Sequence, residues 1–322
     1  MARSDERPPL AGYRVVDFGQ YMAGPAVGKL LAEQGAEVTR VGPPDGPRWD
    51  NPADAVLNRA KEARLLDLKT TAGREEAIAL VERADVLVEN FRPGVMERLG
   101  LAPDAMAARN PALVYLSLPG FAATDPERAG IQAWEGVIAA SAGMYTDMGL
   151  NRVLMGVEGA YSPLPLASAY GASLGALAVL AALYERRSSG RGDRIEVPLA
   201  SALMEGLGYN AMHIDPLPER YGSLREREIE RRRAAGEPMD MTYDALQELL
   251  DPFYRNFECA DGRPFYNCCQ SHRRHPVKSL KLLGLWDEAV AAGLPLHDPY
   301  LPTREWQDGA DCTLYAYPLS KP

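Results

Sequence analysis

Tyr13-Arg-Val-Val-Asp-Phe-Gly-Gln-Tyr-Met-Ala-Gly-Pro25 is the stretch on which the fold turns. Its first six residues read as a buried strand, Gly19 opens a turn, and a helix follows from about Pro25 to Gln34. Working outward, Glu37-Val-Thr-Arg-Val41 reads as a second strand. Thr71 to Ala84 has helical character with Ile78, Leu80 and Val81 on its apolar side, Asp85-Val-Leu-Val-Glu89 is a third strand, and Ala112 to Leu118 is a fourth. Strand and helix alternating at these spacings imply an α/β domain, a parallel sheet with helices on both faces. Such sheets take ligands in the loops at the carboxyl ends of their strands. The candidate site region is therefore Gly19–Pro25, the turn after Val41, and Asn90–Gly94.

The remaining chain sets limits on partners. With 322 residues, 46% hydrophobic and 25% charged, it accommodates two globular domains. A net charge of −9 opposes nucleic acid and anionic membrane surfaces. Four cysteines are too few for a disulfide scaffold, and the first residues carry no apolar signal core, so a reducing cytoplasm is expected. The charge-free run between Glu158 and Glu185 has membrane-spanning length, but its prolines and interspersed serines favour a buried helix, strongly apolar from Ser173 to Tyr184. A last strand, Arg194 to Pro198, follows the glycine turn after it. The expected organisation is a large domain over 1–212, a charged helical segment over 213–256 and a small α+β domain over 257–322. Glu228 and Arg232 suggest local pairing in the charged segment, and Asp261-Gly262 suggests a hairpin.

Single motifs carry little chemistry. Gly24-Pro-Ala-Val-Gly28-Lys29-Leu30 is one residue short of a phosphate loop and lacks its Ser/Thr. Cys268, Cys269, His272 and His275 crowd together without zinc spacing, so no metal is expected. His213 and His297 are isolated, and Ser201 lacks the glycine-flanked elbow of a serine hydrolase.

Several segments together are more specific. Pro9-Leu-Ala-Gly-Tyr-Arg-Val-Val-Asp-Phe18, Ala23-Gly-Pro25, Leu31-Ala-Glu-Gln-Gly-Ala-Glu-Val38, Leu65-Leu-Asp-Leu-Lys69, Ala84-Asp-Val-Leu-Val-Glu-Asn-Phe-Arg-Pro-Gly-Val-Met-Glu-Arg-Leu-Gly100 and Gly190-Arg-Gly-Asp-Arg194 come in order. They resemble the family III CoA-transferases, a group that includes formyl-CoA and carnitine CoA-transferases and the α-methylacyl-CoA racemases. The resemblance is close over 9–210 and loose over 257–322. It implies a Rossmann-like large domain, a smaller second domain and an interlocked homodimer, with acyl-CoA and a small carboxylic acid as substrates. It places coenzyme A against Tyr21, Met22, Leu66, Lys69, Asn90, Phe91, Arg98 and Leu99. Lys69 and Arg98 suit CoA phosphates, and Phe91 suits the adenine or pantetheine. A C-terminal segment returning to the large domain is also implied; with the sequence stopping at Pro322 it is expected to be absent, as in a truncated or processed form.

Two departures qualify that expectation. The family's transferases attack the thioester with an Asp at the start of the long apolar helix, a position that falls here on Ser168. The best remaining carboxylate is Glu135, which aligns with an active-site glutamate of the formyl-CoA transferase type; Glu158 is the runner-up. The racemase histidine falls near Ile131, which exchanges no protons. The charged run 219–233 also occupies the place of a glycine-rich closing loop. The leading expectation is CoA transfer with Ser168 at the reaction centre and Glu135 assisting. The alternatives are a catalytically inactive or regulatory subunit paired with an active homologue, or a racemase, isomerase or lyase on the same fold.

Overall fold

The computed structural model describes residues 7–146, 152–157, 159–208, 224–247, 249, 253–268 and 274–292. Glu158, Cys269, His272, His213 and His297 lie outside them. The chain divides into two compact units, Met1–Tyr145 with Tyr161–Ala211, and Thr146–Ala160 with Met212–Pro322. Residues 146–160, assigned from sequence to the large domain, thus group with the second unit, as do the charged segment and 257–322.

The first unit runs β1 (Arg14–Asp17), α1 (Ala23–Glu33), β2 (Glu37–Gly42), α2 (Pro52–Leu57), β3 (Glu62–Leu65), α3 (Thr71–Val81), β4 (Val86–Glu89), α4 (Val95–Arg98) and α5 (Pro103–Arg109). It continues with β5 (Val114–Ser117), α6 (Glu135–Ser141), α7 (Leu166–Ser189), β6 (Arg194–Glu196) and α8 (Leu199–Leu207). All six strands are parallel, in the order β3-β2-β1-β4-β5-β6, which is the doubly wound order. Strand periodicity divides the core. Val15, Val86, Val88, Val114 and Leu116 face one way, towards the cluster holding Val27 and Leu31 of α1, Val179 of α7 and Leu203 of α8. Val16, Leu87 and Tyr115 face the other, towards Ala77 and Val81 of α3, Met96 of α4 and Met106 of α5.

Two helices differ from the sequence expectation. In α3 the fully buried positions are Gly73, Ala77 and Val81, four apart, while Ile78 and Leu80 only flank them. In α7 the buried face is mostly small, with Ala167, Gly171, Ala172, Gly175 and Ala176, and Leu177 is 62% exposed. Small residues let α7 lie close: a Cβ on Gly175 would stand 3.1–3.3 Å from Leu116, Leu118 and Val27. By length and composition alone α7 could cross a membrane, yet 44% of its apolar window is buried within the protein.

The second unit contains α9 (Leu224–Ala235), α10 (Tyr243–Gln247), the antiparallel pair β7 (Tyr254–Glu258) and β8 (Pro264–Cys268), α11 (Arg274–Leu282) and α12 (Trp286–Ala291). Leu154, Ile229 and Leu246 form a small core there. The charges of α9 largely satisfy one another. Glu228 accepts from Arg231 and Arg232 at 2.8 Å each, which holds its carboxyl well below the usual range, and Arg231 also reaches Glu237.

The Gly190-Arg-Gly-Asp-Arg194 turn shows why its glycines are needed. Gly190 ends α7 at φ +69°, and a Cβ on Gly192 would overlap the Leu113 carbonyl. Because backbone cannot give way as a side chain would, Gly192→Ala is expected to cost roughly 1–3 kcal/mol of unfolding free energy. Urea denaturation checks this, and an unchanged midpoint would show that the turn relaxes freely.

Candidate active site

The strand order reverses between β1 and β4, the position at which doubly wound sheets take ligands. Residues 19–22 follow β1 there. Their backbone is held from two sides: Gly19 N donates to Asp17 Oδ1 at 2.7 Å, and Gln20 N to Asn90 Oδ1 at 2.7 Å. Asn90 Nδ2 returns a bond to the Gln20 carbonyl at 2.9 Å, so the Asn90 side chain, expected on coenzyme A, here ties the two loops together. Tyr21 adopts φ +60°, a left-handed conformation that costs a side-chain-bearing residue about 1–2 kcal/mol. Its ring, 37% exposed, meets Trp134 edge-on with centroids 5.1 Å apart.

Trp134 leads directly into the Glu135–Ser168 contact. It is the N-cap of α6, and Glu135 is that helix's first residue. The Glu135 carboxylate reaches the start of α7, whose own N-cap, Pro165, has no capping side chain. Oε1 accepts from Ala167 N at 2.7 Å; Oε2 accepts from Ser168 N at 3.1 Å and from Ser168 Oγ at 2.5 Å. Glu135 therefore caps α7 from 32 residues away, in the positive field of that helix's N-terminus. Ser168 is nearly buried, and its hydroxyl proton points at the carboxylate.

The other expected contacts are spread along the carboxyl ends of β3 and β4. Lys69 and Arg98 are exposed. Phe91 and Leu99 are half-buried against the second core cluster, and Leu66 lies within it at 7% exposure. Met22 is the half-buried N-cap of α1. Ile131, at the racemase-type position, is 43% exposed and brings no acid–base group. Among the described residues no three His, Cys, Asp or Glu side chains converge as a metal site would.

The family profile for CoA-transferase family III matches residues 10–291, and the chain belongs to that family. It is 52% identical over 314 residues to the CoA-transferase/lyase DddD of Marinomonas sp. (strain MWYL1), covering 97% of this chain and 37% of that protein. It is 34% identical to the succinyl-CoA–L-malate CoA-transferase alpha subunit of Chloroflexus aurantiacus, over 89% of this chain and 67% of the relative. Among solved structures, Rv3272 from Mycobacterium tuberculosis superposes with a TM-score of 0.66 at 29% identity, covering 88% of this chain and 71% of that one. The chain thus spans little more than a third of the DddD relative's length.

Four groups escaped the sequence reading: Asp17, Lys61, Trp134 and Glu89. Asp17 had a signal, since a charge inside a strand buried on both faces needs a partner. Glu89 ends β4 beneath the Asn90–Phe91 loop and accepts from Phe91 N at 2.8 Å. Burial pushes its carboxyl up; hydrogen bonds from Ser117 and Phe91 oppose the shift only partly. Below the unfolded pKa of about 4.5 both states hold the proton, and above it the unfolded chain ionises first. The Glu89 contribution is therefore lost as pH rises through the raised folded value. Glu89→Gln, which cannot ionise, should gain stability over the parent at pH 8 relative to pH 5. An equal difference at both pH values, measured by urea unfolding, would contradict this.

Proposed function

We propose that the chain binds an acyl-CoA thioester along the loops after β1, β3 and β4 and passes its CoA to a small carboxylic acid through the Glu135 carboxylate. The observation that carries this reading is the Ser168 Oγ–Glu135 Oε2 contact of 2.5 Å at the start of α7. Ser168 alone is unsuited to the work, because acylated serine is an ordinary ester and cannot accept CoA as a thioester. Glu135 has the required chemistry, and its Oε1, accepting a single N–H, keeps a lone pair free.

Attack by Oε1 on the thioester carbonyl forms the C–O bond of a mixed anhydride and expels CoA as its thiolate. The thiolate then attacks the Glu135 carbonyl carbon, releasing the first acid and leaving CoA on Glu135 as a thioester. An incoming carboxylate repeats both steps in reverse order and restores Glu135. When the thiolate adds, negative charge collects on Oε2, where Ser168 N and Oγ already donate; these donors act as a preorganised oxyanion hole. Lys69 and Arg98 serve the CoA phosphates, and Tyr21 with Trp134 walls the thioester end. The working form in this reading is an interlocked dimer in a reducing cytoplasm.

A second reading has support of its own. The chain matches little more than a third of DddD, and another relative is named an alpha subunit. A carboxylate from a second family III unit would then do the chemistry, and this chain would hold CoA. Ser168→Asp separates the two. With Glu135 as nucleophile, the chain already transfers CoA, and Glu135 is the trapped residue, before the substitution is made. With the nucleophile supplied elsewhere, an aspartate at 168 creates activity in an inert chain.

For the first reading, the purified chain with succinyl-CoA and an acid panel should transfer CoA, and borohydride trapping should mark Glu135. Glu135→Gln should lower transfer by about a thousandfold or more. Calorimetry should find its CoA affinity unchanged within a factor of about three. Undiminished transfer by Glu135→Gln would remove this mechanism.

A further inference from the structure

Beneath the first loop lies an ion pair that neither core packing nor the chemistry above accounts for. Lys61, in the turn between α2 and β3, extends its ammonium under α1 to Asp17 at the end of β1. The contact is 2.7 Å, with the two side chains 1% and 0% exposed. The same nitrogen donates to the Pro25 carbonyl at 2.7 Å and to Asn58 Oδ1 at 3.0 Å, so its three hydrogens have three acceptors. Asn58 Nδ2 continues the network to Asp54, which holds Arg40 through two bonds of 3.0 and 3.1 Å. Space has been cleared for the pair. A Cβ on Gly28 of α1 would collide with the Asp17 carboxylate and lie 2.9 Å from Lys61 Nζ.

Stability does not explain such a pair, because desolvating two charges costs about as much as their attraction returns, and an apolar pair of equal volume often does better. What the arrangement supplies is direction. Lys61 orients Asp17 through Oδ2, and Asp17 Oδ1 fixes Gly19 N; Lys61 also fixes the Pro25 carbonyl. The two bonds bracket residues 19–25, which contain the strained Tyr21 that stands against Trp134 beside Glu135. Strain of this kind persists only where surrounding bonds over-determine it.

We propose that Lys61 is a positioning residue for the acyl-CoA site, acting through Asp17 and Pro25 to hold the 19–25 loop in its binding conformation. Its connection to acyl-CoA rests on the function proposed above; its hold on the loop does not.

The test replaces the charges together, as Asp17→Leu/Lys61→Met, so that neither is left buried alone. Hydrogen exchange read by mass spectrometry should find the peptide over 19–25 exchanging at least about tenfold faster, with the β4 and β5 peptides within about twofold of the parent. Calorimetry should find acyl-CoA bound about tenfold more weakly. Unchanged exchange over 19–25, or loosening shared equally by β4 and β5, would overturn the proposal. If the loop loosens while acyl-CoA affinity holds, Arg98→Ala decides. A loss of affinity in Arg98→Ala overturns the role of Lys61 at that site, and no loss overturns acyl-CoA binding along these loops. Should the double variant not fold, Lys61→Gln, which keeps a neutral donor, is read the same way.

Discussion

Strands β1 and β4 lie side by side and run the same way, yet the chain leaves them in opposite directions, β1 towards β2 and β3, β4 towards β5 and β6. Helices that cover neighbouring strands therefore diverge at this one position, where doubly wound sheets take ligands. The loops that follow the two strands are tied together across this position. Asn90 spans it with two hydrogen bonds to Gln20, Asp17 anchors the near side, and Tyr21 accepts a strained backbone at its edge. A site without these ties would leave a mobile loop, and a mobile loop must be ordered at the expense of ligand affinity.

A single carboxylate serves two helices. Glu135 stands in the first turn of α6 and supplies the cap that α7 lacks at Pro165. Local sequence offers no substitute, because prolines 163 and 165 leave no Ser, Thr, Asp or Asn at the capping position. Ser168 meets Glu135 differently from the aspartate expected at its position. A hydroxyl donates its proton to Oε2, whereas a second carboxylate at hydrogen-bond distance would oppose the first charge. The residue at 168 and the role of Glu135 are therefore coupled, and neither can be interpreted without the other.

The sheet was legible because its strands are nearly continuous apolar runs, as burial on both faces requires; Val86, Leu87 and Val88 are all fully buried. Strand β3 left no such mark, since Glu62 to Leu65 are all exposed on an edge, and α2 and α6, of six and seven residues, are too short for a periodic signal. The site was legible in a different way. Glu135 and Ser168 came from the family resemblance, and spacing alone could not pair residues that tertiary packing brings together across 33 positions. Lys61 was hidden for the same reason. A lysine before an exposed strand reads as surface charge, and only the path of its side chain beneath α1 makes it internal.

The long helix joins these features into one frame. Its 24 residues span about 36 Å, and both ends are fastened to the unit it crosses. At the far end Arg186 donates to the Ala112 carbonyl at 2.7 Å and to Asp85 at 2.8 Å, and its guanidinium lies over the Tyr13 ring at 5.7 Å. At the near end Glu135 takes the free amides. Between them the glycine and alanine face sits against β5 and α1, close enough that one methylene would be felt. Ser168 is therefore positioned by the sheet through a rigid rod rather than by the proline-rich loop before it. Mutable loops can surround Glu135 and Ser168 without moving them, because the pair is referenced to the core.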